Sequence, residues 1–311
     1  MKVGLVDVDG HHFPNLALMR ISSYHKSRGD TVEWCLPIDR YDKVYVSKVF
    51  SFSPDIDFVP NAEVVEYSGS GYAISLVDGR EVYDKSKDHD LPREIERCFP
   101  DYSIYPQYDF AVSMTSRGCP RGCSFCHVAA KEGRCSVKVA DVKDFWDGQK
   151  EIVILDPNIL ACRDKRDLLR QYRETDAILD FSQGLDIRLM NGEDIDEINR
   201  MRIKRLHFAW DNPKDDLKNK FAFFAKRFRR TTNIGTVYCL TNFNSTMDEN
   251  LYRIYTLRDI GYDPYVMVYD KEHAPKEIRD LQRWCNAKQI FKSTPNFYDY
   301  IKEAKHERPA P

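Results

Sequence analysis

The sequence predicts an α/β protein in two parts, a small open parallel sheet over residues 1–108 and a longer strand–helix repeat over residues 109–270, followed by a C-terminal extension at 271–311. Three observations carry this expectation. Short β-rich apolar runs alternate with segments whose apolar residues recur at helical spacing. The order is strand–helix–strand, which favours parallel pairing. From Asp109 onward the alternation repeats through six steps, and many of its strands end in a polar residue. In a parallel barrel, the side chains just past the strand C-termini form the active-site face.

The elements follow in order. KVGLVDVD is a strand that runs into the loop GHHFPN. LALMRISSYHKSRGD is a helix whose buried face is expected at Leu16, Met19, Ile21 and Tyr24, with Gly29 as its stop. TVEWCLP and KVYVSKVFSFSP are strands closed by prolines, AEVVEYSGSGYAISLVDG holds short strands punctuated by glycine, and LPREIERCFPDY is a short helix and linker. In the second part, FAVSMT, EIVILDP, ILDFSQGLDIRL, RLHFAWDNP, NIGTVYCLTNF and YVMVYD read as strands. VADVKDFWDG, RDKRDLLRQYRETD, GEDIDEINRM, DDLKNKFAFFAKRFRR and MDENLYRIYTLRDIG read as the helices between them. The basic helix KFAFFAKRFRR places aromatic and aliphatic residues at core spacing, so it is expected to pack on the strands with a basic outer face. The tail KHERPAP is expected to be disordered.

With 311 residues the chain exceeds one ordinary core. Its net charge of −2 gives no global attraction to nucleic acid or membrane. No apolar run approaches the roughly 20 residues of a membrane helix, and the start reads as a strand rather than a secretory leader. A cytoplasmic protein without a membrane partner is therefore expected. The nine cysteines are odd in number, so they cannot all pair with one another. In a reducing compartment such residues are metal ligands, nucleophiles or small core residues more often than disulfides.

Three of the nine lie on one short segment, TSRGCPRGCSFCHVAAKEG, where Cys119, Cys123 and Cys126 have the spacing C-x3-C-x2-C. The segment follows the first strand of the repeat. Three thiolates on one loop can hold three irons of a cubane and leave the fourth without a protein ligand, the open position that a chemically active metal site needs. Gly118, Pro120 and Gly122 suit a loop that wraps a bulky group. The alternative is a zinc site completed by His127 or Cys135, although Cys126 and His127 are neighbours that can hardly bind one ion together.

At these residues the chain resembles the radical S-adenosylmethionine superfamily, whose pattern is C-x3-C-x-aromatic-C, with Phe125 as the aromatic. The resemblance covers residues 109 to about 270. It implies a partial (β/α)6 TIM-like barrel, a 4Fe-4S cluster on Cys119, Cys123 and Cys126, and S-adenosylmethionine chelated to the open iron. It also implies reductive cleavage to methionine and a 5′-deoxyadenosyl radical that abstracts hydrogen from a substrate. A flavodoxin- or ferredoxin-like electron donor is a further implication. Phe125 would pack near the adenine. Many relatives carry Gly-Gly-Glu after the second barrel strand, which this chain lacks; Asp156 or Asn158 could accept the same ammonium hydrogen bonds, or simply shape a turn. Gln183, Asp186 and Arg188 lie in the next strand, where Asp186 and Arg188 would share a face and hold ribose hydroxyls and a carboxylate, or form a structural ion pair. Asp211 ends the strand after that and would meet the ribose or the substrate, or start a helix.

A Rossmann-like domain before the barrel is similar to the cobalamin-binding domains of one branch of that superfamily. The cobalamin version carries Asp-x-His-x-x-Gly, whereas this chain has DVDGHHFPN with His11 and His12 out of register, so a degenerate domain is expected over bound cobalamin. GSGY at 69–72 is similar to a glycine turn of that branch. The reading from a different class is a zinc or iron–sulfur protein that binds nucleic acid without radical chemistry. It would show salt-dependent association and no S-adenosylmethionine cleavage. The substrate stays unidentified.

Overall fold

Five of the six residues of Lys2–Asp7 (β1) are buried, as in a strand covered on both faces. In the computed structural model, which describes residues 1–77, 80–229 and 234–306, β1 lies inside a four-stranded parallel sheet. Thr31–Trp34 (β2) flanks it on one side and Tyr41–Ser47 (β3) on the other, and Ala62–Ser68 (β4) lies outside β3. The helix Leu16–Ser27 (α1) links β1 to β2. The Asn15 side chain caps it by accepting from the Leu18 amide at 3.2 Å, and Gly29 leaves it at φ +82°. It buries Leu18, Met19, Arg20, Ile21, Ser22 and His25. That face is rotated from the expected one: Met19 and Ile21 hold, while Leu16 and Tyr24 are half-exposed.

After the short helix Ser70–Ala73 (α2), Ile74–Val77 (β5) and Arg80–Tyr83 (β6) form an antiparallel hairpin, and Arg93–Glu96 (α3) follows. The glycines of GSGY meet the chain itself. A Cβ on Gly69 would lie 2.2 Å from the Lys48 carbonyl oxygen, and one on Gly71 would lie 2.8 Å from that of Phe50. Their small size is therefore required by close backbone packing.

The repeat then begins. Ala111–Ser113 (β7), Glu151–Ile154 (β10) and Ile178–Phe181 (β11) pair in parallel in chain order. Between β7 and β10 lie the ladder Ser116–Arg117 (β8) with Val137–Lys138 (β9) and the helix Val128–Glu132 (α4). Lys165–Arg173 (α5) connects β10 to β11. The helix expected over 139–148 is only a single 3-10 turn, Val142–Asp144. Asp144 folds back to accept from the Asp141 amide at 2.8 Å, and Gly148 at φ +83° turns the chain away.

The chain divides into two compact units, Met1–Asp180 and Phe181–Pro311. Met19 of α1, Tyr105 of the linker, Val112 of β7 and Val153 of β10 form one buried cluster, so the first half of the repeat shares a core with the N-terminal sheet.

In the second unit, Gly192–Ile198 (α6) precedes three parallel strands, Arg202–Ala209 (β12), Thr236–Thr241 (β13) and Asp263–Val268 (β14), paired in that order. Lys218–Arg227 (α7) and Met247–Ile260 (α8) connect them. The basic helix packs as expected, burying Phe221 and Phe224. Thr246 and Glu249 form a capping box at the start of α8, and Gly261 ends it at φ +106°. The C-terminal extension is three helices, Lys276–Asn286 (α9), Lys288–Ser293 (α10) and Phe297–His306 (α11). Leu281, Trp284, Phe291 and Phe297 from them share a core with Leu251 and Ile254 of α8 and Val266 of β14. Of the tail expected to be disordered, residues 307–311 lie outside the described residues. Among the described residues, no helix is long and apolar enough to cross a membrane.

Candidate functional site

The cysteine loop is closed at its base by the chain's own backbone. Ser116 pairs with Lys138 and Arg117 with Val137 in an antiparallel ladder. Just inside it, the Cys119 amide donates to the Gly133 carbonyl at 3.1 Å. Gly118 lies at φ +86°, and a Cβ there would sit 2.1 Å from the Cys135 carbonyl oxygen. Gly118→Ala is therefore expected to lose at least about 2 kcal/mol, combining the left-handed penalty with the clash. Thermal melting checks this. A Tm within a degree of wild type would show that the loop base tolerates a side chain.

Within the loop, the Cys126 amide donates to the Cys123 carbonyl at 3.0 Å, forming a tight turn between the two cysteines. Cys119 and Cys123 are half-buried and Cys126 is exposed. By contrast Cys162, Cys239 and Cys285 are buried, and burial pushes the thiols of Cys239 and Cys285 up to about 12. Those three are core residues, whereas the loop thiols are half-buried or exposed. Phe125 is half-buried between Cys123 and Cys126.

The base of the loop rests on Asp156. Its carboxylate, 2% exposed, accepts from the Thr115 amide (2.9 Å) and hydroxyl (2.8 Å) and from the Ser116 amide and hydroxyl (both 2.6 Å). The Tyr172 hydroxyl is 3.4 Å from the same carboxylate. Burial pushes the Asp156 carboxyl above its ordinary range, against the pull of these donors. The sequence offered Asp156 either as a ligand contact or as a turn residue. The structure commits its oxygens to the segment that leads into the cysteines, a positioning role. Asn158 is nearer the thiols: its Nδ2 lies 3.5 Å from Cys119 Sγ, and Ser136 Oγ donates to its carbonyl oxygen at 2.9 Å.

Among the described residues, no three His, Cys, Asp or Glu side chains gather as donors to one ion. His127, a candidate fourth ligand for zinc, lies 3.4 Å from Glu81 through Nε2, and Cys135 is exposed on the loop's return. The loop itself carries three thiols, two half-buried and one exposed. By chemistry, three thiolates on one loop are a donor set that could bind three different irons of a cluster.

The other candidates lie in the second unit. The strand expected over ILDFSQGLDIRL ends at Phe181, because Gly184 at φ +93° turns the chain and the Leu185 amide donates to the His207 carbonyl at 2.7 Å. Gln183 is exposed on that turn. Asp186 and Arg188 therefore do not share a face of a regular strand, yet they still meet. Arg188 Nε donates to Asp186 Oδ1 at 2.6 Å, and Nη1 to Asp215 Oδ2 at 3.3 Å. Asp186 thus forms the ion pair, and Asp215 joins it, a partner the sequence did not indicate.

Asp211 follows β12 beside Arg253, another residue the sequence reading missed. Arg253 is fully buried in α8. Its guanidinium donates to the carbonyls of Trp210 (2.5 Å), Asp211 (2.9 Å) and Leu240 (2.9 Å) and to Asn250 Oδ1 (2.6 Å). It ties together the chain just past β12 and the end of β13. A signal existed: Arg253 falls on the helical face of Asn250, Ile254 and Leu257, and a cation on a buried face needs a purpose. Burial raises the Asp211 carboxyl to about 6, with Arg253 and Arg188 opposing. Below about pH 6 the folded chain holds a proton there that the unfolded chain releases near pH 4. Stability is therefore expected to fall as pH rises from about 4 to about 6, by up to about 3 kcal/mol. Asp211→Asn should remove that fall. Denaturant melts of both proteins across this window test it, and parallel pH profiles would disprove the assignment.

Compared with known proteins, the chain matches no protein-family model and no curated protein.

Proposed function

We propose that the protein is a radical S-adenosylmethionine enzyme whose 4Fe-4S cluster is held by Cys119, Cys123 and Cys126. The observation that supports this best is the loop itself: three accessible thiols at C-x3-C-x2-C, anchored at its base by a ladder and by Asp156. When bound there, the cluster supplies the electron that splits S-adenosylmethionine into methionine and a 5′-deoxyadenosyl radical, with one iron left open for that ligand.

Residues of the first unit serve the loop. Thr115 and Ser116, gripped by Asp156, set the direction from which the backbone enters the loop. The Asn158 amide donates toward the Cys119 sulfur, where it would stabilise the thiolate. Phe125 offers an apolar surface between two of the ligands, suited to an adenine ring. In the second unit Asp211, with its raised carboxyl, is suited to hydrogen bonding with hydroxyls of a ribose or a substrate. The six strand–helix steps belong, on this reading, to a partial (β/α)6 TIM-like barrel. No residue of the N-terminal sheet is proposed to bind cobalamin; the half-exposed His11 ring packs against Trp34 with centroids 4.1 Å apart.

The test is anaerobic reconstitution with iron and sulfide, then reduction with dithionite in the presence of S-adenosylmethionine. Formation of 5′-deoxyadenosine and methionine supports the proposal. Protein purified without oxygen that carries zinc in place of iron at this loop would overturn it.

A further inference from the structure

A second binding feature of the first unit lies away from the thiols. Arg20 of α1 is 7% exposed. One nitrogen, Nη2, donates to the Ser113 hydroxyl at 3.2 Å, while its Nε has no partner. A guanidinium carries five N–H donors and is costly to bury without an anion. Among the described residues, no carboxylate forms an ion pair with it. Burial and the neighbouring Arg117 disfavour its charge, against a weaker opposing pull from Glu96, which is itself paired with Arg117.

Arg20 lines a cavity of about 620 Å³ together with Arg93 and Arg97 of the α3 segment, Arg117 of β8 and Lys138 of β9. The acids that line it are already engaged. Glu96 pairs with Arg117 at 2.8 Å, Asp141 with Lys138 at 2.5 Å, and Asp144 accepts from the Asp141 amide. Arg93 and Arg97 are exposed and, among the described residues, form no ion pair. Three arginines without carboxylate partners therefore share one cavity. One of them is buried, and its Nε has no partner.

We propose that this cavity binds the phosphoryl group of a small phosphorylated molecule, with Arg20 as the buried anchor and Arg93 and Arg97 at its mouth. Several arginines around one point suit a dianion with three accepting oxygens better than a single carboxylate. The volume exceeds that of a phosphate ion and leaves room for the organic part. The inference does not depend on the cluster, although Arg117 lies two residues before Cys119.

The test is thermal melting of the purified full-length chain at fixed pH and ionic strength, with chloride replaced by inorganic phosphate, ribose 5-phosphate or, as control, ribose. Both phosphates are expected to raise the Tm saturably, ribose 5-phosphate at the lower concentration, and ribose to do nothing. Arg20→Met should melt at or above wild type in chloride, because it removes a buried unneutralised charge, and should lose the response to phosphate. The double variant Arg93→Ala/Arg97→Ala changes only exposed positions. It should melt as wild type in chloride and need about tenfold more phosphate, the effect of losing one or two charge-assisted hydrogen bonds. If Arg20→Met fails to fold, the double variant decides. A wild type without a saturable response, or a double variant with an unchanged midpoint, would overturn the proposal. So would single-stranded RNA as the sole species that stabilises the protein.

Discussion

Replacing Cys119, Cys123 or Cys126 by alanine, one at a time, is expected to remove the iron of the reconstituted protein and all formation of 5′-deoxyadenosine. The reason is the count of donors. Each thiolate would hold a different iron, so the two that remain cannot take the place of a lost one. The loss should therefore be nearly complete in each variant, at least about a hundredfold in product. The fold should persist, because all three side chains are half-buried or exposed and lie outside the buried clusters. Alanine at Cys162, which is buried and distant in sequence, serves as the control: it should lower stability through its cavity and keep the iron. Iron and sulfide content, the visible absorption of the cluster and product chromatography give the readout. Wild-type iron content in any of the three loop variants would sink the assignment of that residue.

Asp156→Ala is the second change expected to have a large effect. Four donors, two amides and two hydroxyls from Thr115 and Ser116, converge on this buried carboxylate. Alanine would leave the amides buried without an acceptor, at about 1 to 3 kcal/mol each. The total loss is expected to be about 3 to 5 kcal/mol, or roughly 10 °C for a unit of this size. Asp156→Asn keeps one accepting oxygen and should lie between alanine and wild type. Because Thr115 and Ser116 lead directly into Gly118 and Cys119, the alanine variant should also release its iron to a chelator faster than wild type. Calorimetry and chelator-release kinetics separate the two effects. A loss below about 1 kcal/mol would mean that the four bonds do not hold the loop base.

The two predictions rest on residues that were legible to different degrees. The cysteine spacing, the aromatic Phe125 and the strand before them are local facts, and one sequence suffices to read them. The strand–helix alternation is likewise set by local patterning, and β1, α1, β10, α5, β12, α7 and α8 lie where apolar spacing and end signals place them. Local rules failed where a longer contact or a glycine turn intervened. The strand reading of 182–189 failed because Gly184 turns the chain and Leu185 bonds to His207. The helix reading of 139–148 gives a single capped turn, Val142–Asp144, and Gly148 at φ +83° turns the chain away soon after it. Asp156 could be read from the sequence as a ligand or as a turn residue, because its donors come from positions some forty residues earlier.

By itself, then, the sequence determined the order of most elements, the parallel pairing of the main strands and the one loop with three clustered cysteines. These depend on residues within a few positions of each other. Only the tertiary structure decided that the N-terminal sheet and the first strands of the repeat share a core through Met19, Tyr105, Val112 and Val153. The same holds for the commitment of Asp156 to the chain and for the burial of Arg20 with an unpartnered Nε. Burial and partner choice depend on which distant segments exclude water together, and no local pattern encodes that.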